Sequence, residues 1–267
     1  MSFLNSIPIG QYVPRNSFLH QCDPRSKLLF VFFFIIFIFL ANSLYAFLFV
    51  AAVSVIGIVM SRIPVIYILR GLKPALWIIL LTVVLQIFTN KEGELLFSWR
   101  FIEIHEKGLV NAGFVSARII LLMMSASLLT LTTSPIQLTD GLESLFSPLR
   151  RFKFPAHELA LMMSISLRFI PTLLEETDKI AKAQMSRGAS FSSGSIVKRI
   201  NGIIPLIVPL FVQSFRRAEE LAFAMEARGY RGGEGRTKYR QLRYGGRDAM
   251  LLIVMIVIAV IVLLLRA

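Results

Sequence analysis

The sequence predicts an all-α, polytopic membrane helical bundle that carries long amphipathic cytoplasmic helices. Three observations predict it. Apolar residues make up 55% of the 267, and the mean hydropathy of +0.69 is too high for an ordinary soluble domain. The apolar residues gather in runs that approach or exceed the roughly 20 residues a helix needs to cross a hydrocarbon core about 30 Å thick. Between the last two such runs the pattern changes to amphipathic segments punctuated by proline, and residues 150–247 hold eighteen Lys/Arg against eight Asp/Glu. The chain therefore divides into an N-terminal segment with four membrane helices (1–131), a cytoplasmic or interfacial helical module (132–247) and a C-terminal membrane helix (248–267).

The elements follow in order. Leu28 to Met60 is almost continuously apolar, too long for one span, and broken only at Asn42-Ser43. Two short helices, roughly 27–41 and 44–60, are expected there, with one long tilted helix as the alternative. Leu72 to Phe88 is a third span, opened by a basic connector containing Arg62, Arg70 and Lys73. Residues 89–107 form a polar loop whose near-alternating Phe97–Ile104 stretch suits a short hairpin. Gly108 to Leu131 is a fourth span and Asp248 to Leu265 the fifth. Basic residues favour the cytoplasmic side, so segments 1–27, 61–73 and 132–247 are expected inside, with the C-terminus outside. No signal peptide is expected, since the first apolar run starts only at Leu28.

In the 132–247 module, Ser134-Pro135 reads as an N-cap with proline at the first helical position. Ser147-Pro148 restarts the chain. Phe154-Pro155 opens a long helix with Leu159, Met162, Met163, Leu167 and Ile170 at mixed three- and four-residue spacing. After Pro171 that helix turns charged and runs to Ser186-Arg187-Gly188. Beyond a link at Ser190–Ser195, a second helix is expected from about Val197, apolar from Ile203 to Phe215, bent at Pro205 and Pro209, and ending at Ala227-Arg228-Gly229. Superposing the two Arg-Gly ends aligns Ile180 with Leu221, Ala181 with Ala222 and Ala183 with Ala224. This weak repeat has one design: apolar root, charged stem, arginine tip.

The chemistry is sparse. Neither G-x-x-x-x-G-K-[ST], H-E-x-x-H nor C-x-x-C occurs, and the glycines between Gly229 and Gly235 have the wrong spacing for a phosphate loop. His20, Cys22 and Asp23 make a poor metal site, and one cysteine excludes an internal disulfide. No nucleophile and base are arranged for catalysis, so no catalytic residue, metal or cofactor is assigned, and the chain is not read as an enzyme. A lipid-modifying enzyme would need an intramembrane cluster of Asp, His or Ser, and a channel a filter-like loop or charged ring; neither is present. The positive charge interleaves with Leu, Ile and Phe, which does not suit nucleic acid. Arg118, near the middle of the fourth span, needs a pair inside the bundle or a polar contact at a subunit interface, because a central charge costs about 2.5–3.5 kcal/mol. Arg187 and Arg228 are either helix caps or tips that enter grooves of a partner. Met162, Met163, Met185 and Met225 suit either lipid contact or a surface that repacks against several partners.

Several segments resemble, in order, the transmembrane T component of energy-coupling factor transporters, ABC-type vitamin importers. They are Gly10-Gln11-Tyr12-Val13-Pro14 with Ser17, His20 and Asp23-Pro24-Arg25-Ser26-Lys27; Thr132-Thr133-Ser134-Pro135; Leu167-Arg168-Phe169-Ile170-Pro171; and the two Arg-Gly tips. The resemblance covers essentially the whole chain. It implies a multi-pass protein of the bacterial cell membrane whose two amphipathic helices are coupling helices. Each ends in Ala-Arg-Gly and docks on one of two cytosolic ABC-type ATPase subunits. Ala227, Arg228 and Gly229 match that motif in full; Ser186, Arg187 and Gly188 match it with Ser in place of the leading Ala. The family also implies an exchangeable, substrate-binding S component, which would lie in the bilayer against the coupling helices and the bundle; Arg118, Met162 and Met163 are candidates for that contact or for packing within the bundle. A T component dedicated to one substrate, of cobalt or biotin type, is the alternative.

Overall fold

Asn42 and Ser43 do break the first apolar run into two helices. A computed structural model describes residues 12–99, 102–152, 154–189, 196–232 and 242–266. The chain forms two units, one within residues 12–141 with 242–266 and the other within residues 142–232. The expected link Ser190–Ser195, the glycines at 233 and 235, and Gly10-Gln11 lie outside the described residues.

The first unit is a helical bundle. Helix α1 runs Pro24–Leu40, α2 Leu44–Ser61, α3 Val65–Thr89, α4 Glu106–Thr132 and α8 Gly246–Arg266. Four of them (α2, α3, α4 and α8) are long and apolar enough to cross a membrane. Helix α1, with 17 residues, rises about 25 Å and falls short of that length. Its inner face still makes the core: Phe34, Phe37 and Ile38 pack with Ala46, Phe47 and Val50 of α2, Leu121 of α4, and Ile258 and Val262 of α8. The outward faces stay apolar and exposed, as at Phe32, Leu48, Trp77 and Leu264, which is the pattern of helices solvated by lipid.

One expectation is corrected. Residues 61–73 are not a connector. Helix α3 begins at Val65 and continues through Pro74, so Arg70 and Lys73 lie on its first turns. The turn between α2 and α3 shrinks to 62–64, where Arg62 takes the left-handed conformation (φ 55°) and its N–H bonds the Val59 carbonyl. Helices α3 and α4 then pack closely because small residues face each other at both ends. A Cβ on Gly71 would stand 2.9 Å from Ser127 Oγ, and one on Gly108 2.9 Å from the Asn90 carbonyl. The 89–107 loop forms the hairpin its alternation suggests, with β1 (Leu95–Trp99) antiparallel to β2 (Ile102–His105).

The N-terminal motif is a knot at the basic end of the bundle. Asp23 caps α1 by accepting from Arg25 N–H at 2.9 Å and also holds the Arg25 guanidinium at 3.0 Å. Its own N–H donates to Asp248 Oδ1 of α8 at 2.8 Å. Lys27, only 5% exposed, donates to the Thr132 carbonyl at 3.1 Å and to Thr133 Oγ1 at 3.2 Å. It thereby caps the C-terminus of α4, where a cation is favoured. Val13 N–H bonds the neighbouring Leu131 carbonyl at 3.1 Å. His20 bridges Ser17 Oγ (2.7 Å) and the Val13 carbonyl (3.0 Å). A carbonyl only accepts, so Nε2 carries the proton, and burial holds the imidazole pKa below its ordinary value. With both ring nitrogens engaged, His20 is a strut and not a metal ligand.

In the second unit, Ser147–Phe152 is a 3₁₀ segment, α6 runs Ala156–Ser186 and α7 Ile196–Ala227. Helix α5 (Pro135–Phe146) leads into it. The α5 N-terminus is a capping box: Gln137 N–H donates to Ser134 Oγ, and Ser134 N–H to Gln137 Oε1. At 31 and 32 residues, α6 and α7 are rods of about 47 Å. Pro171 lies within α6, and Pro205 and Pro209 within α7; neither helix is interrupted.

Candidate docking tips and the crossing of the stems

The two Arg-Gly ends have the same backbone construction. At the first, Gly188 is left-handed (φ 88°). Its N–H bonds the Met185 carbonyl, and Ala189 N–H reaches back to the Gln184 carbonyl, both at 3.0 Å. At the second, Gly229 is left-handed (φ 72°), its N–H bonds Glu226 at 2.8 Å, and Tyr230 N–H bonds Met225 at 3.0 Å. Both are Schellman motifs, which satisfy the carbonyls a helix leaves open at its C-terminus. The left-handed position explains each glycine, because a Cβ there would strain the backbone even though nothing lies within 4 Å of it. In each motif the arginine stands immediately before the glycine, at the last position of the rod. Arg187 and Arg228 are both exposed. Backbone N–H groups take the carbonyls of Gln184 and Met185 at the first tip and of Met225 and Glu226 at the second, so the Schellman geometry itself does not require the guanidinium groups.

Farther back, the stems are pinned to each other. Arg217 of α7 forms an ion pair with Glu176 Oε1 of α6, and its guanidinium lies 5.9 Å from the Phe169 ring centroid. Glu176 is 8% exposed, and among the described residues its Oε2 has no hydrogen-bond partner. The pair is 41 residues apart, which is the offset that superposes Arg187 on Arg228. Equivalent positions of the internal repeat therefore meet, carrying opposite charges. Such a contact lies at the crossing point of two related rods, and each tip stands eleven residues, about 16 Å, beyond it. Sequence reasoning missed this pair. The repeat alignment contained the signal, since it sets Glu176 against Arg217.

Other candidates separate by unit. Arg118, on α4, donates to the carbonyl of Ala41 at 3.2 Å and lies 5.8 Å from the Phe39 ring centroid. Ala41 caps the end of α1, so the guanidinium satisfies a carbonyl that the short helix leaves open. Met162 and Met163 project from α6 with 55% and 44% exposure. Leu159 of α6 and Phe211, Val212 and Phe223 of α7 are exposed as well. His157 at the base of α6 is hydrogen-bonded to Glu143 at 3.0 Å. Among the described residues no group of three or more His, Cys, Asp or Glu is placed to hold a metal ion.

Comparison with known proteins agrees with this architecture over nearly the full chain. A family model described as cobalt transport protein, CbiQ, matches residues 15–239. The energy-coupling factor transporter transmembrane protein EcfT of Bacillus subtilis (strain 168) is 50% identical over 264 residues, which cover 99% of this chain and all of that protein. The proteins of the same name from Brevibacillus brevis and Acidaminococcus fermentans are 52% and 51% identical, with coverage of 97% or more of this chain and 98% of theirs. The chain thus belongs to the family of energy-coupling factor transporter transmembrane proteins, EcfT.

Proposed function

We propose that this chain is the transmembrane scaffold of an energy-coupling factor importer and that Arg187 and Arg228 are its docking tips. It couples ATP hydrolysis in two cytosolic ABC-type ATPase subunits to vitamin uptake through an exchangeable, substrate-binding S component. The observation that carries this reading is the pair of twin tips. Two exposed arginines end two rods, each rod is closed by a backbone Schellman cap, and among the described residues each guanidinium is left over for something else. An arginine delivers a planar, always-charged fork suited to a carboxylate in a groove. Ser186, Gly188, Ala227 and Gly229 set the backbone that presents it.

The lever runs from tip to crossing to root. Closure of the two ATPases shifts the grooves that hold the tips. A rod transmits that shift because its backbone is hydrogen-bonded along its length. The Glu176–Arg217 pin prevents one rod from moving without the other. The roots, apolar and exposed around Met162, Met163 and the Ile203–Phe215 stretch, present the face on which the S component rests in the bilayer, and the shift tips that component to open its site to the other side. Thioether side chains adapt to several partner surfaces, which suits an exchangeable S component. The basic module and the basic end of the bundle face the cytoplasm. Hydrolysis takes place in the ATPases, and this chain catalyses nothing.

The test is charge reversal at both tips. Loss of a desolvated, hydrogen-bonded charge pair costs about 2–5 kcal/mol. The double variant Arg187→Glu/Arg228→Glu is therefore expected to lose the ATPases on co-purification and to stop uptake, while each single variant weakens both. Undiminished co-purification and uptake in the double variant would refute the docking role.

A further inference from the structure

The bundle contains two adjoining compartments of opposite character at its basic end. The inner one is an apolar chamber of about 320 Å³, within the size range of small-molecule sites. It lies among the first half of α1, the last half of α2, the end of α4 and the start of α8, with Phe34, Ile58, Leu128 and Val254 on its walls. Lys27 also lines it. The outer compartment is polar, lined by Asn16, Ser17, Gln21, Arg62 and Arg247. Phe18 and Met60 line both, so these two side chains stand at the boundary between the compartments.

The charge in this vestibule is unbalanced. Arg247 donates to Gln21 Oε1, a neutral acceptor. Among the described residues Arg62 has no ion pair. The nearby carboxylates are occupied: Asp23 holds Arg25, and the two oxygens of Asp248 accept the N–H groups of Asp23 and Gly245, each at 2.8 Å. Arg62 also sits in a left-handed backbone conformation at φ 55°, which costs energy for a residue with a Cβ.

We propose that this double compartment is a site for one anionic phospholipid of the adjoining leaflet. The headgroup phosphate lies between Arg62 and Arg247, and one acyl chain passes Phe18 and Met60 into the chamber. Charge complementarity selects the anion: two guanidinium groups without carboxylate partners suit a phosphate. The chamber selects a chain, because an apolar cavity inside a bilayer is filled from the lipid that surrounds it. The lipid would join four helices to the N-terminal knot at the end of the bundle from which α5 departs.

Gly57 supplies a clean perturbation. It lines the chamber, and a Cβ there meets nothing within 4 Å, so Gly57→Leu fills the space and improves helix propensity as well. Arg62→Gly removes one guanidinium and relieves the left-handed strain; Arg247→Gln removes the other. The full-length protein is equilibrated in mixed micelles with equal amounts of phosphatidylglycerol and phosphatidylcholine of the same chains, and retained lipid is counted by native mass spectrometry. Wild type is expected to retain one phosphatidylglycerol per chain with at least tenfold preference. Arg62→Gly/Arg247→Gln should abolish the preference, and Gly57→Leu should abolish retention, with thermal unfolding midpoints no lower than wild type. Lys73→Gln, basic at the same end but outside both compartments, should change nothing. Equal retention of the two lipids by wild type overturns the proposal. So does a preference that survives both site variants, one that Lys73→Gln also removes, or recovery of a free fatty acid in place of the phospholipid.

Discussion

Removing either member of the Glu176–Arg217 pair tests whether the stems act as one lever. The Glu176 side chain keeps 10% of its surface and Arg217 29%, so the pair is buried on the acidic side and partly wet on the basic side. Truncating one partner of a fully buried ion pair costs about 3–5 kcal/mol, because the remaining charge is stranded. The solvent that still reaches Arg217 reduces that figure to about 2–3 kcal/mol. Arg217→Ala should be the worse truncation, since it leaves a buried carboxylate whose second oxygen already has no partner. Two kcal/mol is roughly a thirtyfold change in the ratio of pinned to parted stems. Hydrogen exchange of amides in residues 169–176 and 210–217 reads this as a local opening free energy. A cycle of Glu176→Ala, Arg217→Ala and the double variant is expected to give a coupling of about 1–3 kcal/mol, and the swapped pair Glu176→Arg/Arg217→Glu should recover most of it. Uptake should fall in both single variants and return in the swap. A coupling under about 0.5 kcal/mol, the level of exposed surface pairs, with uptake unchanged, would show that the crossing is mere proximity.

Two further outcomes follow from the same geometry. Gly188→Ala and Gly229→Ala each force a Cβ into the left-handed region, where the cost is about 1–2 kcal/mol; nothing crowds either position, so the loss is local fraying of the last turn, visible as faster exchange at Ala189 or Tyr230, and Asn at the same site should cost less than Ala. Cys22 lies outside the membrane helices, and burial, reinforced by the Asp248 carboxylate, pushes its thiol pKa from 9.0 up to about 11. The thiolate is the reacting species, so at pH 7.5 its population falls about 100-fold. N-ethylmaleimide should label the folded protein slowly and the detergent-unfolded chain at the rate of a free cysteine.

Much of this was legible from residue pattern because lipid constrains helices severely. Asn42-Ser43 is the sole polar break in its run, and it marks the turn between α1 and α2. Gly188 and Gly229 follow amphipathic stretches, and they end them. Charge alone puts Arg70 and Lys73 in a loop, yet long basic side chains sit on the first turns of a membrane helix and reach the interface. The Glu176–Arg217 pin needed three dimensions: neither residue stands out in its own helix, and only the 41-residue offset relates them.

Two cations of the bundle, buried Lys27 and half-buried Arg118, point to a common solution. Arg118 and Lys27 both sit within the helical layer, and among the described residues neither forms an ion pair. Each instead bonds a carbonyl at a helix C-terminus, Ala41 for Arg118 and Thr132 for Lys27. Those carbonyls are the acceptors that a helix cannot satisfy internally, and they carry its negative dipole end. One contact thus resolves two costs, an unpaired charge and an open carbonyl, without placing a second charge in the hydrocarbon. It also explains why the short α1 is tolerated: its early end at Leu40 leaves the Ala41 carbonyl within reach of α4. Because no anion is consumed inside, the acidic residues at the basic end serve the knot, where Asp23 caps α1 and Asp248 ties α8 to the segment before it. Arg62 and Arg247 remain as surplus charge at that end, and this surplus is the physical reason to look there for an anion supplied by the membrane.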